Sequence, residues 1–95
     1  MRIVGNIPHP YVKITCFGMN MRFSVKLEMG QMEQTFKIRE NVNVTSLEDL
    51  SKLIDDELIN ECITHFSAMH KSMEKAFKRL REEKAKDGTL TEDPA

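Results

Sequence analysis

An apolar stripe with helical spacing dominates the second half of this chain. Ile59, Cys62, Phe66, Met69, Met73, Ala76 and Leu80 recur in alternating steps of three and four, and Ile63 and Phe77 widen the band. No Gly or Pro lies between Gln31 and Asp87, so nothing in the local chemistry stops a helix there. A chain of 95 residues has room for one modest core. The stripe therefore demands either a single long helix whose far end needs a partner, or a helix that bends back over the rest of the chain.

The rest of the chain reads as antiparallel sheet. Met21, Phe23, Val25 and Leu27 alternate with Arg22, Ser24, Lys26 and Glu28, the period of a strand with one buried and one wet face. Val12, Ile14 and Cys16 form a similar row before it. A two-residue turn at Gly18-Met19 places Cys16 opposite Met21, Ile14 opposite Phe23 and Val12 opposite Val25. A second turn at Met29-Gly30 places Leu27 opposite Met32, Val25 opposite Gln34, Phe23 opposite Phe36 and Met21 opposite Ile38. Only Gln34 interrupts the apolar face. The expected fold class is α+β: a three-stranded antiparallel meander followed by one long C-terminal helix. A fourth strand is available at Arg2 to Val4 or at Val42 to Val44, while Pro8 and Pro10 keep the intervening arm out of regular pairing.

Thr45-Ser46-Leu47-Glu48 has the spacing of a capping box and sets the expected helix start. Leu47, Leu50, Ile54 and Leu58 then run into the main stripe. Asp55-Asp56 offers a competing cap for a second helix, but the stripe passes through Ile54, Leu58 and Cys62 in phase, which favours continuity. Residues 1–86 are read as one domain, and the Gly-containing, acidic segment 87–95 (DGTLTEDPA) as a disordered tail. A strand of seven residues spans roughly 23 Å, whereas a continuous helix from Ser46 to Lys84 would span about 58 Å. Half of it would overhang. Leaving Met69, Met73, Phe77 and Leu80 in water would forgo on the order of 1.5–3 kcal/mol of burial for each.

Composition narrows the function classes. Hydrophobic residues at 40% with 31% charged are ordinary for a globular protein, and no window approaches the roughly 18 apolar residues of a membrane span. The opening MRIVGNIPHP lacks the apolar run of a signal peptide, so a cytoplasmic location is expected. Cys16 and Cys62 sit within apolar patterns as small hydrophobes. The net charge of −1 conceals segregation. Residues 1–39 are basic, 45–61 acidic through Glu48, Asp49, Asp55, Asp56, Glu57 and Glu61, and 71–86 basic again.

No catalytic constellation, phosphate-cradling loop or cofactor motif is present, so a non-enzymatic role without cofactor is expected. Glu61, Cys62 and His65 share a helical face, but no fourth group is spaced to complete a metal site. The stripe residues Ile59, Ile63, Phe66, Met69, Met73, Phe77 and Leu80 form the expected interface, self-associating as a homodimer or receiving a helical protein partner. Parallel pairing would oppose Arg79 to Lys84 and His65 to His70, which favours an antiparallel arrangement. The alternative is single-stranded nucleic acid on the basic outer face of the sheet, through Lys13, Arg22, Lys26, Lys37 and Arg39. No family motif stands in these residues; in architecture alone, the sheet-then-helix order is similar to that of nucleic-acid-binding repeats of the Pur-alpha and whirly type.

Overall fold

The computed structural model describes residues 2–86. Four antiparallel strands pair in chain order: β1 (Arg2–Ile7), β2 (Lys13–Met19), β3 (Arg22–Met29) and β4 (Met32–Arg39). Two helices follow, α1 (Leu47–Leu53) and α2 (Asp56–Lys86). The fold is α+β, and its fourth strand is the N-terminal one. Val42 to Val44 makes no strand: Asn41 and Val44 form an isolated bridge, and Val42 is 94% exposed. The expectation for residues 87–95 lies outside the described residues.

Both expected hairpin registers are corrected. The β2–β3 turn sits at Asn20-Met21, pairing Met19 with Arg22, Cys16 with Val25 and Ile14 with Leu27. Both turn residues have positive φ, 47° and 61°, the requirement of a type I′ turn whose twist matches the strands. The Gly18-Met19 turn would have drawn Pro10 into the ladder opposite Leu27, where it has no N–H to donate. The observed pairing leaves Pro8 and Pro10 in the β1–β2 loop. There His9 Nδ1 accepts from the backbone N–H groups of Tyr11 and Val12 at 3.1 and 3.3 Å. The β3–β4 turn is Gly30-Gln31, with Gly30 at φ 64° in the first central position, and Leu27 faces Gln34 while Val25 faces Phe36. Relative to the expected pairings the two registers slide by four and two residues. Even slides leave every side chain on its face, so the predicted inner row survives, except for Met21, which the turn exposes.

One face of the sheet carries the core. Ile7, Ile14, Cys16, Val25 and Leu27 are buried there against Leu50 and Ile54 at the end of α1 and Ile59, Cys62 and Phe66 of α2. Helix α1 lies on β1 and α2 on β4. Gly5 permits the first of these contacts, because a Cβ on it would overlap a Leu47 methyl. Gly5 also follows a bulge at Val4, which bends β1 over the core. Gln34, the polar interruption of the inner row, is put to use: its Nε2 donates to the Cys62 carbonyl at 2.8 Å and ties β4 to α2.

The expected continuous helix is broken. Ile54 caps α1 with ψ 74°, outside the helical range, and Asp55 then caps α2, its Oδ1 accepting from Leu58 N–H at 2.9 Å. A straight helix would have carried Leu50 and Ile54 off the sheet; the bend lays α1 on β1 and returns α2 along β4. The start of α1 also lies one residue later than expected. Ser46 is the cap, accepting from Asp49 N–H at 3.2 Å, while the Asp49 carboxylate reaches back to Thr45 N and Oγ1 at 2.9 and 3.1 Å. Glu48, the expected partner, pairs outward with Lys52.

Candidate functional site

The break in the helix shortens the overhang without abolishing it. Helix α2 has 31 residues and is therefore about 46 Å long, in a molecule whose longest dimension is 59 Å. Its stripe divides. Ile59, Cys62 and Phe66 are buried in the core at 2, 0 and 0% exposure, and Ile63 and Met69 are half-buried against its edge. For Ile59 and Phe66 the expected interface role is corrected, because the chain's own core covers them; Ile63 and Met69 keep part of their surface exposed. Met73, Phe77 and Leu80 remain 53, 40 and 36% exposed. They follow one another along α2 where it reaches the β3–β4 turn and the strands end.

A groove of about 530 Å³ opens where the overhang leaves the sheet, between the Gly30-Gln31 turn with Met32 on one side and Met73 and Phe77 on the other. His70 and Glu74 line the same groove, with Nε2 and Oε2 3.4 Å apart. Sequence reasoning missed Met32 as a wall of this groove, because only the bend at Asp55 sets which hairpin α2 passes over. The overhang itself is basic: Lys71, Lys75, Lys78, Arg79, Arg81, Lys84 and Lys86 outnumber Glu74, Glu82 and Glu83.

The opposite face of the sheet is open to solvent and bears all five predicted cations, but the structure does not gather them. Lys13 faces Glu28 across the ladder, near the Gly30 end. Lys26 is tied to Glu28 at 3.8 Å and lies over the Phe17 ring, 5.6 Å from its centre. Arg22, Lys37 and Arg39 collect at the other end, with Arg22 directly opposite Arg39 and Lys37 opposite Ser24. The expected register had placed Arg22 against Lys37, so the Arg–Arg pairing was hidden, although the alternation already assigned both to one face.

The remaining polar candidates are dispersed. Cys62 is fully buried whereas His65 is exposed, so the helical triplet does not converge. Among the described residues no three His, Cys, Asp or Glu side chains form a metal-holding group. Cys16 and Cys62 are free, and burial pushes both thiols above their ordinary range, with the Glu61 charge adding to the effect at Cys62. No described helix is long and apolar enough to cross a membrane. Compared with known proteins, the chain matches no family model, no curated protein and no solved structure.

Proposed function

We propose that this chain is a small non-enzymatic interaction module that self-associates through the overhanging end of α2. The observation that carries the reading is the trio Met73, Phe77 and Leu80, large exposed apolar side chains at helical spacing, of which Met73 and Phe77 line a groove against the β3–β4 turn. Covering them contributes on the order of 1–2 kcal/mol each, a large fraction of a small domain's stability. The favoured occupant is a second copy in antiparallel orientation. The orientation follows from the register of the stripe: parallel pairing would oppose Arg79 to Lys84, a clash that the antiparallel arrangement avoids. A parallel copy would set the basic ends side by side. The free thiols at Cys16 and Cys62 are consistent with a cytoplasmic setting for the module.

Sedimentation equilibrium across the micromolar range tests this reading. A dimer is expected, and replacing Met73 and Phe77 together by Lys should yield a monomer with unchanged circular dichroism. Both positions are exposed, so the sheet and core do not depend on them. A strict monomer at high micromolar concentration overturns the proposal.

A further inference from the structure

We propose that the outer face of the sheet, at the end where Arg22 opposes Arg39, is a binding surface for single-stranded nucleic acid. Two like charges directly opposite on neighbouring strands destabilise a sheet unless something neutralises them. The ladder places Arg22 against Arg39 with Lys37 two residues along β4, about 7 Å away. None of the three side chains makes an ion pair or hydrogen bond among the described residues. The acidic residues of the sheet, Glu28 and Glu33, face each other at the far end. Protecting an exposed edge does not account for Arg22, which sits on an interior strand.

The apolar neighbours distinguish nucleic acid from a merely anionic partner. Ile3 pairs with Phe17 on this face and is 65% exposed, and Met19, 49% exposed, stands beside Arg22. Phe17, Met19, Arg22, Ser24 and Lys37 line a shallow cavity of about 140 Å³. Cations that meet phosphates, next to an aromatic ring and aliphatic side chains that meet bases, are the two components of single-strand recognition. An acidic peptide would use only the first. The surface lies on the opposite side of the sheet from α2, so it operates independently of self-association.

Fluorescence anisotropy with a labelled oligothymidylate of about 15 nucleotides tests the assignment, starting near 50 mM salt. Three phosphate contacts predict a log–log salt slope of about −2, so affinity should fall roughly 15- to 20-fold between 50 and 200 mM salt. R22E/R39E should lose binding while keeping the parent's thermal unfolding curve. Phe17→Leu, which keeps an apolar side chain but removes the ring, should weaken binding about fivefold or more. No binding near 50 mM salt overturns the proposal, as does binding undiminished in R22E/R39E. An oligoglutamate of matched charge bound as tightly as the oligonucleotide would instead assign the surface to an acidic protein.

Discussion

The side chain of Gln34 donates to the backbone carbonyl of Cys62 at 2.8 Å, joining the middle of β4 to the first half of α2. It is the polar contact that fixes how α2 crosses the sheet, and therefore where its overhang begins. Gln34→Ala should cost about 1 kcal/mol, the net value of such a bond. Gln34→Glu should cost more at neutral pH, because a carboxylate cannot donate and its oxygens would face the carbonyl. Protonation restores a donor, so this glutamate's pKa would be raised in the folded state. The deficit of the variant should therefore be full above that raised value and shrink as pH falls through it. Parallel urea titrations of the two proteins across the acid range check the sign; a deficit that widens on acidification contradicts the contact.

The division of the stripe predicts two different responses to the same substitution. Phe66→Ala removes a ring with no exposed surface and should cost about 3–5 kcal/mol. Phe77→Ala, on the overhang, should change the stability of the isolated chain by no more than about 0.5 kcal/mol. Denaturant unfolding at low protein concentration, where association contributes nothing, separates the two.

Asp49 links its own ionisation to the start of α1. Its carboxyl is held below the ordinary aspartate range chiefly by the Thr45 backbone N–H it accepts, assisted by the Thr45 hydroxyl. A depressed carboxyl contributes stability that is complete above its unfolded pKa, about 3.9, and is lost as pH falls through the folded value. The stability difference between the parent and Asp49→Ala should accordingly be constant near neutrality and diminish below about pH 4. Thermal melts at several pH values provide the measurement.

Met21 occupies a left-handed conformation, φ 61°, that suits glycine, and its side chain is 73% exposed. Met21→Gly turns Asn20-Met21 into the Asn-Gly pair that type I′ turns prefer, removing about 1 kcal/mol of backbone strain with no loss of packing. The melting temperature should rise by about 4–8 °C for each kcal/mol gained. A decrease would contradict the turn assignment and favour the Gly18-Met19 alternative.

Sequence alone determined which side chains share a face. Strand alternation has a period of two, so the inner row of Ile14, Cys16, Val25, Leu27 and Phe36 is the same in the expected and observed registers. It could not determine the pairings, because slides of two or four residues preserve that pattern; turn backbone and the exclusion of Pro10 decided them. The same limit concealed Arg22 against Arg39 until the register was known. The helical stripe was equally legible, and so was the competing cap at Asp55, but the local phase of the stripe favoured continuity over the break that forms. Tertiary structure settled the contest, because only a bend at Ile54-Asp55 buries Leu50 and Ile54 together with Ile59, Cys62 and Phe66 on one short sheet. That bend also sets the point, past Met69, where core ends and the exposed face of Met73, Phe77 and Leu80 begins. The boundary depends on how far four strands extend beneath the helix, and no periodicity within the helix encodes that length.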